Sequence, residues 1–63
     1  MNIIGYRGNP TKAQTTKIFQ KHTNLSQSEI NTLVNDILKG EVRTVDNDFV
    51  LREDLEDSGF IVD

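Results

Sequence analysis

The stretch from Ser26 to Gly40, SQSEINTLVNDILKG, carries the clearest structural instruction in the chain. Ser26 and Glu29 have the S-x-x-E spacing of a capping box, in which each side chain bonds the other residue's backbone N–H. Leu25 and Ile30 stand where a hydrophobic staple stands, one residue before the cap and four after it. Ile30, Leu33, Val34, Ile37 and Leu38 then recur at i, i+3, i+4, i+7 and i+8 and so line one side of a helix. Gly40 falls where a left-handed residue closes a helix, and Lys39 suits the negative end of the helix dipole. The pattern predicts an amphipathic helix whose inner stripe builds a core and whose outer side is free for contact.

Upstream, NIIGY (residues 2–6) reads as a short strand with Ile3, Ile4 and Tyr6 as its apolar positions, ended by Gly8 and Asn9. A first helix follows, running to about His22. Asn9 can cap it with Pro10 in the first turn, and Thr11 is a competing cap. Its apolar content is thin: Ala13, Ile18 and Phe19. Thr15 and Thr16 are β-branched and weaken it further, so it needs tertiary support.

Downstream, EVRTV (residues 41–45) reads as a strand. The segment FVLREDLEDSG (residues 49–59) has two readings. As a helix capped between Asp46 and Asp48, it places Leu51 and Leu55 one turn apart and stops at Gly59. As a hairpin, EVRTV would pair with FVLR across DND. The helix is the preferred reading, although Glu56 and Asp57 then oppose the helix dipole. FIV (residues 60–62) closes the chain as a strand. The expected fold is α+β, a single domain over residues 1–63, in the order β-α-α-β-α-β. A three-stranded sheet packs against three helices, and the strand–helix–strand unit from 41 to 62 is expected to cross over right-handed.

The totals narrow the functional classes. Sixty-three residues make one small domain, and ordering each costs roughly 1.5 kcal/mol, so nearly every apolar side chain is needed inside. There is no Cys, hence no disulfide and no thiolate metal site, and His22 is the single histidine. No apolar run approaches the ~18 residues of a membrane span, and MNIIGYRGNP is too short and lightly charged for a signal peptide. A cytoplasmic protein without cofactors is expected. Residues 1–34 sum to +3 and residues 35–63 to −6, giving the net charge of −3. Such asymmetry has two readings: two solvated faces of a small domain, the preferred one, or two electrostatic faces used in binding.

Catalytic motifs are missing. His22 has no motif around it, and Ser26 lacks a Gly-x-Ser-x-Gly setting and is better used as a cap. DNDFVLRED (residues 46–54) lacks the central Gly and correctly spaced Glu of a calcium loop. GYRGNP (residues 5–10) has no phosphate-binding lysine and reads as a strand-to-helix turn. Arg7, Lys12, Lys17 and Lys21 form no basic footprint that outweighs the acidic total, which argues against direct nucleic-acid binding.

From Thr23 to Val34 the chain reads T-N-L-S-Q-S-E-I-N-T-L-V, and from Leu55 to Val62 L-E-D-S-G-F-I-V. Both resemble the C-terminal domain of the bacterial ribosomal stalk protein. In that family the same turn and helix read T-G-L-G-L-K-E-A-K-x-L-V, and the chain ends L-E-x-x-G-A-x-V. Thr23, Leu25, Glu29, Leu33 and Val34 agree with the first pattern. Lys12 and Lys17 match two family lysines five residues apart. The resemblance spans nearly the whole chain and implies the same β-α-α-β-α-β fold.

It also implies a protein-binding role, because the family's domain recruits translational GTPases through a basic and apolar surface on its first two helices. The corresponding positions here are Lys12, Ala13, Thr16, Lys17, Gln20 and Asn31, to which Lys21 adds a charge one turn after Lys17. The family's apolar contacts fall on the smaller Ala13 and Thr16, its arginine on Gln20 and a lysine on Asn31. Half of the surface is thus rewritten, and two positive charges fewer weaken steering toward an acidic partner. The family's N-terminal dimerisation domain and hinge have no counterpart here. A small non-enzymatic module is therefore expected, docking a protein partner through the first helix, the Thr23–Gln27 turn and the exposed side of the second helix. The alternative is an acidic decoy, of the kind phages and mobile elements encode, with Asp46, Asp48, Glu53, Asp54, Glu56 and Asp57 imitating a phosphate row. A homodimer is a third possibility for so small a core.

Overall fold

The computed structural model describes residues 1–63 as β1 (Asn2–Tyr6), α1 (Lys12–His22), α2 (Gln27–Leu38), β2 (Arg43–Thr44), α3 (Phe49–Asp57) and β3 (Phe60–Val62). The order is β-α-α-β-α-β, and the class is α+β. β1 lies between β2 and β3 and is antiparallel to both, so the flanking strands run parallel to each other. α2 packs on β1 and β2, α3 packs on β3, and α1 lies across α2 and α3 rather than on the sheet.

The central stripe reads as expected. Ile30, Leu33, Val34 and Ile37 are buried, and Leu38 is half-buried against the core. Ser26 caps α2, its hydroxyl accepting from Glu29 N while the Glu29 carboxylate accepts from Ser26 N. At the other end Gly40 has φ +93°, and the pair Gly40 N to Ile37 O and Glu41 N to Asp36 O closes the helix as a Schellman motif. That closure shortens the next strand. With the Glu41 N–H spent on α2, EVRTV supplies only Arg43 and Thr44 to β2, and Val42 is left exposed.

The first helix differs in detail. Thr11, not Asn9, is its cap, accepting from Gln14 N at 3.1 Å, and Pro10 lies outside it. Ala13 is exposed, as a contact-surface position requires. Thr15, which weakens the helix by propensity, is fully buried, its hydroxyl satisfied by Thr11 O at 2.8 Å. Segment 49–57 is helical, with Asp48 as N-cap accepting from Leu51 N. The hairpin alternative is replaced because β2 pairs with β1.

β1 carries one irregularity with a consequence. Ile3 pairs with Val62, but Gly5 pairs with Ile61 and Tyr6 with Phe60, so β1 holds one extra residue. Simple alternation would put Ile3 and Tyr6 on opposite faces. The bulge turns Tyr6 back to the helix side, where its ring meets Phe60 edge-on at 5.9 Å and its hydroxyl donates to Leu38 O. Phe19, Leu51, Leu55, Ile3, Phe60 and Val62 complete the core.

Candidate functional site

The seven residues named from the sequence lie on α1 and α2. Thr15 and Phe19, one turn apart and fully buried, press α1 onto the core and so fix which side faces outward. At about 100° per residue, the opposite surface holds one row and the flank beside it a second. One is Ala13, Lys17, Lys21; the other is Lys12, Thr16, Gln20. All six are exposed except Thr16, which is half-buried, and Asn31 is exposed on α2.

The second row leans toward α2. Gln20 Nε2 donates to Gln27 Oε1 at 2.6 Å, and Gln27 Nε2 donates to Asn31 Oδ1 at 3.0 Å. This chain of amides places Gln20 and Asn31, eleven residues apart in sequence, on one continuous surface. Gln27 ends the Thr23–Gln27 turn of the expected surface, but the sequence does not foretell its bridging role between the two helices. Its only sequence signal is the i, i+4 spacing to Asn31, and the tie to Gln20 depends on how the two helices cross.

Charge is unbalanced across this surface. α1 carries Lys12, Lys17 and Lys21 and no acid. The chain has ten Asp and Glu, yet its ion pairs join His22 to Asp54, Arg43 to Asp36 and Arg52 to Glu56, and no lysine takes part. The positive field of α1 is therefore not cancelled by a neighbour in contact.

The acidic half is less free than its composition suggests. Asp48 is engaged as a helix cap, Asp54 lies 2.5 Å from His22 Nε2, and Glu56 lies 3.6 Å from Arg52 Nε. Of the six acids in the decoy reading, Asp46, Glu53 and Asp57 make no ion pair and hold no cap. Among the catalytic candidates, His22 is mostly buried against Asp54 and Ser26 is the α2 cap. No group of three or more His, Asp or Glu side chains is arranged to hold a metal ion.

A cleft of about 570 Å³ opens between the Thr23–Leu25 turn and the loop from β2 to α3. Leu33 and Leu51 form its floor, and Leu25, Glu29, Arg43 and Asp46 are on its walls. These residues come from four separate segments, so no local pattern could have announced it. No helix is long and apolar enough to cross a membrane. Comparison with family models, curated proteins and solved structures gives no match to this chain.

Proposed function

We propose that the protein is a small non-enzymatic docking module, acting in the cytoplasm, that engages an acidic protein partner through α1 and the adjoining side of α2. The contact residues are Lys12, Ala13, Thr16, Lys17, Gln20, Lys21 and Asn31, with Gln27 joining the two helices. The observation that carries this reading is the amide chain from Gln20 through Gln27 to Asn31, which makes one surface of two helices beside three lysines without carboxylate partners. The resemblance to the ribosomal stalk domain supports the same face. The replacements at Gln20 and Asn31 favour hydrogen bonding there over charge pairing.

The role of each residue follows from its chemistry. Lys17 and Lys21 steer an acidic surface by long-range attraction and sit at the rim, where a charge changes association rate more than final affinity. Ala13 and Thr16 allow close approach. The amides of Gln20, Gln27 and Asn31 retain unused donors and acceptors that fix register. The test is affinity capture from host lysate with the wild type and with Lys12→Glu/Lys17→Glu, after thermal melting shows that both fold alike. Loss of the same captured band in the variant supports the face. Undiminished capture by a folded variant removes it.

A further inference from the structure

The cleft beside the Thr23–Leu25 turn has one wall made of main chain. β2 is an edge strand, paired with β1 on one side only. Val45 N donates to Met1 O at 2.9 Å, and Val45 O accepts from Met1 N at 2.8 Å. Bonding alternates along an antiparallel strand, so Thr44 turns its N–H and C=O away from β1. No backbone bond outside the ladder engages them. The Thr44 side chain is on the sheet face away from the helices. It stands opposite Asn2, whose neighbour Ile3 is in the core, and its hydroxyl donates to Asn2 Oδ1 at 2.6 Å. Thr44 nevertheless lines the cleft, so what it presents there is its peptide edge. Thr44 and Asp46 are both exposed, and the edge is open.

The remaining walls define the occupant. Leu25, Leu33, Val45 and Leu51 give the cleft its apolar lining, and Glu29, Asp46 and Asp48 its carboxylates. None of the three carboxylates is in an ion pair, whereas the lining cations are engaged elsewhere, Arg43 by Asp36 and His22 by Asp54. We propose that the cleft takes an extended peptide segment of a partner protein, apolar and flanked by basic residues, which adds as a strand to the free edge of β2. A strand added to a sheet edge gains affinity from main-chain bonds and specificity from pockets for alternate side chains. Here alternate residues turn onto Leu33 and Leu51, and lysine or arginine at the ends of the segment meets Glu29 and Asp46. The volume of about 570 Å³ is that of a concave ligand site. A free N–H and C=O on a strand edge select a peptide over a small apolar molecule, and the unpaired carboxylates select a basic one. None of the contact residues assigned to the α1–α2 face lines the cleft, so the inference does not rest on the docking reading.

NMR of the isotope-labelled protein tests the proposal with three peptides. They are acetyl-KVTVK-amide, its acidic counterpart acetyl-EVTVE-amide, and the basic peptide N-methylated at every residue. In the free protein the Thr44 amide exchanges with solvent much faster than the Val45 amide, because only the second is bonded. The basic peptide shifts the amide signals of Leu25, Leu33, Thr44 and Leu51, leaves those of Lys17 and Lys21 in place, and slows Thr44 exchange toward that of Val45. The acidic peptide binds about tenfold more weakly, the combined size of a few exposed charge pairs. The N-methylated peptide has no N–H to donate to the edge and does not bind. Asp46→Lys loses no ion pair, melts like the wild type, and weakens the basic peptide about threefold. A Thr44 amide as protected as Val45 in the free protein overturns the open edge and the proposal with it. So do an absence of shifts at millimolar peptide, shifts confined to residues outside the cleft, equal binding of the acidic or N-methylated peptide, and unchanged affinity in Asp46→Lys. Partner capture by the docking face is read in a separate assay, so the two ideas fail independently.

Discussion

His22 Nε2 and Asp54 Oδ2 meet at 2.5 Å and join the C-terminal end of α1 to the middle of α3. The two residues are 32 positions apart, and the His22 side chain is only 11% exposed. With no strand packed directly beside it, α1 is held by this bond, by the buried Thr15 and Phe19, and by its contact with α2. His22→Ala and Asp54→Ala should each lower stability by about 1 kcal/mol, in the range of single hydrogen bonds to ionisable groups discounted for the partial exposure of Asp54. The double variant should lose less than the sum. Urea unfolding of the four proteins measures the coupling, and strict additivity would mean that the contact does not stabilise the fold.

Gly59 and Gly40 both adopt positive φ, at +102° and +93°, but their surroundings differ. A Cβ at residue 40 meets nothing within 4 Å, whereas one at residue 59 would stand 2.5 Å from the Arg7 carbonyl oxygen. Arg7 N bonds Gly59 O at 2.7 Å, so the two backbones cannot easily part. Gly40→Ala should cost about 1–2 kcal/mol, the left-handed penalty alone. Gly59→Ala adds a backbone clash and should cost about 3 kcal/mol or more. Equal losses for the two variants would show that the close approach is not rigid.

Phe19 is fully buried and is the main apolar anchor of α1. Phe19→Ala should cost about 3–5 kcal/mol. Domains of this size have little stability to spare, so the variant should be largely unfolded near 37 °C. Circular dichroism at increasing temperature reads the loss. A cooperative transition unchanged from the wild type would contradict the packing of α1.

Ser26→Ala removes one side of the α2 capping box and should lower stability by about 1 kcal/mol. Glu29→Ala should have a smaller effect, since Ser26 still accepts from the backbone N–H of residue 29. Chemical unfolding distinguishes the two, and a larger loss at Glu29 would reverse the roles assigned within the box.

Gln27→Ala separates folding from docking. The residue is exposed, and its amide bonds are on the surface, so stability should change by less than about 0.5 kcal/mol. Partner capture should fall if the amide chain fixes the register of α1 and α2. A Gln27→Ala protein that melts like the wild type and captures equally well would show that Gln20 and Asn31 act separately or not at all.

Several features are legible from local sequence because their causes are local. The α2 stripe, its capping box and the closure at Gly40 depend on residues within a few positions of one another. So do the Asp48 cap and the Leu51–Leu55 pair, which make residues 49–57 a helix. The element order follows from these. The six α1 site residues could also be placed on one helix surface, since a helix of known register fixes their relative angles.

Long-range geometry decided the rest. The cap of α1 moved to Thr11, and Thr15 became a core residue because α1 packs across two other helices, which no propensity encodes. β2 shrank because Glu41 N–H was claimed by α2. Tyr6 faces the helices only because β1 bulges against β3. The Gln20–Gln27–Asn31 chain and the His22–Asp54 bond depend on helix crossings. Sequence spacing within one element sets which side chains share a face. Which faces meet, and which charges find partners, is set by packing between elements, where one added residue or one competing hydrogen bond changes the outcome.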